Sequence, residues 1–131
     1  MRKMFSKVCK LGCAVLIAVA ACGPAAANFT CGGKVTYLGM NPEGFVSVAV
    51  GGFGVWYICS QSVPFTNAGT TFTPEGCRAW YATFLTAQKA DHSITLFFGS
   101  SATSDNGAEC TALGTWNYPA IAPYHLTARA S

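Results

Sequence analysis

Thr73-Pro-Glu-Gly-Cys-Arg-Ala-Trp-Tyr-Ala-Thr-Phe-Leu-Thr-Ala-Gln-Lys-Ala90 is the stretch from which the rest of the chain can be placed. The Thr73 hydroxyl can cap a helix, and Pro74 suits a first helical position, whose N–H needs no partner. Glu75 adds a negative charge where the helix dipole favours one. Cys77, Trp80, Tyr81, Phe84, Leu85 and Gln88 then recur at i, i+3, i+4, i+7, i+8 and i+11, so they share one face, and all but Gln88 suit burial. Lys89 and His92 stand at the carbonyl end, where positive charge is favoured. The spacing predicts one helix from Pro74 to Ala90.

On either side of it the period changes from 3.6 to 2. Before it, Cys31–Leu38 reads as a first strand, with Val35 and Tyr37 alternating against Lys34 and Thr36. Asn41-Pro42-Glu43-Gly44 is turn chemistry. Phe45–Val50 is a second strand, with Val46, Val48 and Val50 on one face and Phe45, Ser47 and Ala49 on the other. Gly51-Gly52-Phe53-Gly54 joins it to a third, Val55–Ser60, and a polar loop fills residues 61–73. After the helix, Ser93–Gly99 is a fourth strand with Ile94, Leu96 and Phe98 on one face. A polar stretch, Ser100 to Glu109, follows. The last strand is expected over Tyr124–Arg129, with Tyr124, Leu126 and Ala128 inward.

Residues 1–27 read as an export signal. Arg2, Lys3, Lys7 and Lys10 precede an apolar run, Leu11–Ala21, which is followed by Gly23-Pro24 and the small residues Ala25-Ala26-Ala27. Charge, short apolar core and small-residue cut site are the parts of a secretory signal. The run is too short for a membrane span of about 20 residues. Cleavage after Ala27 would leave residues 28–131 as a single domain, periplasmic or secreted. The alternative is Val19-Ala20-Ala21-Cys22, which has the pattern of a lipobox, with Cys22 lipidated as an anchor. The formal net charge of +3 belongs largely to this signal. Beyond residue 27, Lys34, Arg78, Lys89 and Arg129 stand against Glu43, Glu75, Asp91, Asp105 and Glu109, a net −1. That balance supplies no cationic field for nucleic acid.

Four cysteines remain there, Cys31, Cys59, Cys77 and Cys110. An even number in an exported chain of this size reads as two disulfides. No Cys-x-x-Cys pair supports a metal site. Four cysteines allow three pairings, which spacing alone does not rank.

Three strands, a helix and two strands is the order of the OB-fold, a small five-stranded barrel. An open sheet with one helix would read the same. In an OB barrel the first and fourth strands are antiparallel neighbours, so the start of one meets the end of the other. That topology assigns Cys31–Cys110 and Cys59–Cys77. The expected fold is thus mainly β with one helix, an OB-like small barrel stapled by two disulfides.

Cys31-Gly-Gly-Lys-Val, Tyr57-Ile-Cys-Ser60, Cys77-Arg-Ala-Trp80, Thr86-Ala87 and Ile94-Thr-Leu together resemble a family of small exported proteobacterial proteins. More distantly they resemble the B subunits of subtilase cytotoxin and typhoid toxin. That resemblance implies an OB-fold, a pentameric ring and binding of sialylated glycans. We place no counterpart here of the serine that binds glycan in those subunits.

The sequence gives no sign of catalysis. His92 and His125 are the only histidines, and no nucleophile or carboxylate is spaced to work with either. The five acids fall in turns, loops or the helix start, which does not suggest a carboxylate pair. No catalytic, cofactor-binding or metal-ligating residue is therefore assigned. Aromatics offer more, because exposed Trp and Tyr stack on sugars and anchor protein interfaces. Trp80 and Tyr81 belong to the helix stripe, and Trp56 is in phase with Ile58. Phe53 at the hairpin tip and Trp116 and Tyr118 in the last loop are left as candidate ligand contacts. The expected function is a non-catalytic exported module that binds a glycan or protein, as a homo-oligomer in the toxin-like case. The alternative is a monomeric structural or inhibitory protein of the cell envelope.

Overall fold

In the computed structural model residues 28–99 and 106–130 are described. Residues 1–27, with the expected export signal and Cys22, lie outside them, as does most of the polar stretch after the fourth strand. The elements are β1 (Asn28–Met40), β2 (Phe45–Val50), β3 (Val55–Ser60), β4 (Phe65–Asn67), β5 (Thr70–Phe72), α1 (Pro74–Ala90), β6 (Ser93–Gly99), α2 (Asn106–Ala112) and β7 (Pro123–Arg129).

Helix α1 forms over the expected residues. Thr73 Oγ1 accepts from the Gly76 N–H at 3.1 Å, and Asp91 ends the helix in the left-handed region at φ 55°. Cys77, Phe84 and Ala87 are buried, while Trp80 and Tyr81 are partly buried at the rim of the core.

The main sheet is antiparallel with the order β3-β2-β1-β6-β7. Strand β1 starts earlier than expected because it serves two neighbours. Asn28–Lys34 pair with β6, and Val35–Met40 pair with β2. Between the halves Gly33 sits at φ 145°, where a Cβ would lie 2.6 Å from the Gly51 Cα. Only glycine lets β1 pass the next hairpin so closely.

The sheet is strongly curled. Neighbouring strands lie about 4.8 Å apart, so β3 and β6, three places apart, would be about 14 Å apart if the sheet were flat. The rings of Trp56 on β3 and Phe98 on β6 are 6.1 Å apart. Phe29 stacks on Phe98 at 4.9 Å, and Val46, Val48, Ile58, Ile94 and Leu96 complete the interior under α1.

The curl does not close into the expected barrel, because β3 and β7 are not paired. The outer edge of β3 is occupied instead by residues 114–118. Trp116 N–H donates to the Val55 carbonyl at 2.6 Å, and Tyr57 N–H donates to the Asn117 carbonyl at 3.0 Å.

The main sheet has three bulges, and two of them correct the expected facing of side chains. One residue is extra between the pairs Val35↔Val50 and Tyr37↔Ala49, so Tyr37 turns to the outer face beside Ala49. A second makes Ile58 the extra residue of β3 between Val46↔Cys59 and Ser47↔Tyr57, while Tyr57 keeps its expected place opposite Trp56, on that same outer face. The third makes Tyr124 the extra residue of β7 between Phe97↔His125 and Phe98↔Pro123, so Tyr124 is exposed. Ala128 is exposed too, and of the three residues expected inward only Leu126 packs on the core.

The expected loop before α1 contains the hairpin β4–β5. Ala68 and Gly69 turn it, both at positive φ (46° and 80°), as a two-residue hairpin loop requires. The polar stretch after β6 ends in α2. The disulfides are Cys31–Cys110, from β1 to α2, and Cys59–Cys77, from β3 to the first turn of α1. Among the described residues no helix is long and apolar enough to cross a membrane.

Candidate functional site

The outer face of β1-β2-β3 is where the chain places aromatic rings that the core does not take. Its construction begins with Trp56. The indole is fully buried, and its N–H donates to the Gly114 carbonyl at 3.0 Å, which draws residues 114–118 against β3. Val55 N–H donates to Thr115 Oγ1 at 3.0 Å, and the Asn117 side-chain amide donates to the Leu113 carbonyl at 3.0 Å. Gly114 (φ 78°) and Trp116 (φ 54°) both need left-handed backbone to follow this path. A bulky residue at positive φ is uncommon; here the backbone bond from Trp116 to Val55 holds it.

Anchored this way, Trp116 and Tyr118 both meet Tyr57. Ring centroids are 6.4 Å apart for Tyr57–Trp116 and 5.5 Å for Tyr57–Tyr118, with interplanar angles of 58° and 43°. Tyr37 meets Trp116 edge-on at 5.3 Å. Its ring lies over Gly39, where an added Cβ would sit 2.6 Å from the Tyr37 hydroxyl, so the glycine makes room for the ring. At the other end Tyr118 contacts Phe65 at 5.3 Å and Phe45 at 6.0 Å. Six rings thus form one connected surface. It is wet as well as aromatic: Trp116 is 55% exposed, Tyr118 49% and Tyr37 39%.

Of the three expected contact residues, the structure brings Trp116 and Tyr118 together and sets Phe53 apart. Phe53 folds back from the β2–β3 turn over Gly51, is half-buried and packs against the core. Tyr37, Tyr57, Phe45 and Phe65 belong to the surface and were missed from sequence. The available signal was Tyr57 standing out of phase with Trp56 and Ile58, which marks β3 as apolar on both faces.

Elsewhere the polar residues are dispersed. Lys34 pairs with Asp91 at 2.9 Å, also donates to its carbonyl, and so ties β1 to the end of α1. Glu75 lies 3.6 Å from Arg78 within α1. His125 leans on Phe97, while His92 borders a shallow groove of about 270 Å³ between α1 and β7 with Thr83, Thr86 and Ala128. Among the described residues no three of His, Cys, Asp and Glu gather closely enough to hold a metal ion.

No protein-family model, curated protein sequence or solved structure matches the chain.

Proposed function

We propose that this is an exported, non-catalytic binding module that works through the aromatic face built on Tyr57, Trp116 and Tyr118. The observation that carries the reading is the exposure of Trp116 and Tyr118 on a backbone fixed by several hydrogen bonds. Monomeric proteins seldom leave a contiguous apolar patch open, and rigid Trp and Tyr are the side chains that anchor partners. Two buried disulfides support export, since such bonds persist in oxidising compartments.

The antiparallel order β3-β2-β1-β6-β7, with β1 shared between β2 and β6, is compatible with an OB-like frame left open at β3, whose outer edge residues 114–118 take. The toxin B-subunit resemblance is the frame in which this reading would make the protein a ring. Light scattering tests that frame: a pentamer is expected from it, and a monomer would favour an envelope protein with one partner. The binding reading itself is tested by capture from host and bacterial surface extracts, comparing the wild type with Trp116→Ala/Tyr118→Ala. Ligands retained by the wild type and lost from a normally folded variant are expected. Equal retention by both would overturn the assignment of the face.

A further inference from the structure

The pairing of the four cysteines carries an inference that is independent of what the aromatic face binds. Cys31 is joined to Cys110 and Cys59 to Cys77, so one link lies inside the other, and all four are fully buried. Nested pairing is open to error while the bonds form. Cys31 and Cys59 are 28 residues apart, against 79 for Cys31 and Cys110. In a disordered chain the chance of closure falls roughly as the 3/2 power of loop length, which favours this wrong partner about fivefold. We propose that the β1–β2–β3 meander prevents the error by holding Cys31 out of reach of Cys59. Cys59–Cys77 then closes first and Cys31–Cys110 last, so the chain needs a disulfide-forming oxidant but no isomerase to correct its pairs.

The strand register supplies the separation. Met40 of β1 pairs with Val46 of β2, and Val46 pairs with Cys59 of β3. Cys59 is thus level with Met40, nine residues along β1 from Cys31. At about 3.3 Å per residue that is about 30 Å, and even a right-angle bend at Gly33 leaves more than about 20 Å. A disulfide needs Cα atoms within about 7 Å. The meander also has the means to form early. Its first turn is closed by the Gly44 N–H donating to the Asn41 carbonyl at 2.9 Å and the Phe45 N–H donating to Asn41 Oδ1 at 2.8 Å. Val46, Val48 and Trp56 give it a buried apolar face, and three strands with such a face meet the usual minimum for independent stability. Hairpins form in microseconds, whereas thiols take seconds or longer to pair.

The remaining thiols are placed to follow in order. Cys77 stands in the first turn of α1, and its loop to Cys59, 18 residues, is the shortest that any two of the four can close. Cys31 has to wait. Its half of β1, Asn28–Lys34, pairs with β6 and no other described strand. Helix α2, which sets Cys110 Sγ 3.4 Å from the Thr30 carbonyl, follows β6 in the chain. With Cys77 already bonded, Cys110 is the partner left. Each closure takes two electrons and two protons from a pair of thiols and passes them to a disulfide oxidant, such as glutathione disulfide, which leaves as two thiols.

Oxidative refolding tests the order. The disulfide-bonded protein is reduced in denaturant, diluted into a glutathione redox buffer without isomerase, and acid-quenched at intervals for peptide mapping. Cys59–Cys77 is expected as the main one-disulfide species, and the native pairs as the end product. Loop lengths alone would put Cys31–Cys59 at about half the level of Cys59–Cys77, and less than about a tenth is expected. Oxidation kept in denaturant removes the meander and should restore the loop-length ratio. Val48→Pro, which breaks the ladder in the middle of β2, should restore it in buffer. Added disulfide isomerase should leave the native yield unchanged. Cys31–Cys59 near the loop-length level in buffer, or a native yield that rises severalfold with isomerase, would overturn the inference. Wild-type proportions of the intermediates in denaturant or in Val48→Pro would overturn it too, since neither keeps the meander.

Discussion

At the scale of single residues, Trp56 links the interior to the surface. Its indole fills the curl of the sheet against Phe98, and its one polar atom reaches the Gly114 carbonyl. Replacing it with Phe keeps most of the apolar volume but leaves that carbonyl without its donor. An unsatisfied buried group costs about 1–3 kcal/mol, and this part-buried carbonyl stands at the low end of that range. Trp56→Phe should therefore lower unfolding stability by that order and also loosen residues 114–118, so ligand binding weakens although no surface ring has changed. Urea unfolding and faster amide exchange at Tyr57 check both halves. Unchanged exchange at Tyr57, whose N–H is bonded to Asn117, would show that the segment holds without the indole. Trp116, by contrast, is more than half exposed, and its removal should shift stability by less than about 0.5 kcal/mol.

At the scale of elements, α1 covers the interior with a short list of side chains. Phe84 is fully buried and meets Trp80 edge-on, and Trp80 in turn meets Phe72 edge-on. Truncating a buried aromatic costs about 3–5 kcal/mol, so Phe84→Ala should lose most cooperative unfolding in a thermal melt. A loss below about 1 kcal/mol would mean the helix is not the lid of the core. This helix was legible in the sequence because cap, proline and apolar stripe all agree on one register. The cores of β2 and β6 were legible because Val46, Val48, Ile94, Leu96 and Phe98 keep a strict period of two. What escaped is what one inserted residue does. The bulges beside Tyr37 and Tyr124 put these side chains on faces the alternation does not give, and no local composition announces them. The hairpin Phe65–Phe72 escaped because its turn uses Ala68, not glycine or asparagine, at the first positive φ. Tyr37 and Phe65 of the candidate surface lie in those same segments. Trp116 and Tyr118 could be singled out as aromatics without a core role and Tyr57 by its phase, but Tyr37 needed the register.

At the scale of the whole molecule, two disulfides fasten the helices to a sheet that hydrogen bonds do not close. Cys59–Cys77 spans 18 residues between β3 and α1, and Cys31–Cys110 spans 79 between β1 and α2. Removing a native disulfide from a small exported domain typically costs about 2–5 kcal/mol. The longer link encloses most of the fold, and α2 leads directly into residues 114–118. Cys31→Ala/Cys110→Ala should therefore lower the melting temperature and disturb the aromatic face, whereas Cys59→Ala/Cys77→Ala should destabilise α1 more than the face. Melting curves with the tryptophan emission of each double variant separate the two effects.

The proposed function requires the segment on the open edge of the sheet to present Trp116 and Tyr118 to a partner. Two-dimensional NMR of the disulfide-bonded protein, titrated with a panel of neutral and sialylated oligosaccharides and with any ligand captured from the surface extracts, tests this. A bound ligand is expected to shift the Trp116 indole N–H and the amides of Tyr37, Tyr57 and Tyr118, while the buried Trp56 indole stays in place. Shifts centred on Thr83, His92 and Ala128, in the groove between α1 and β7, would contradict it.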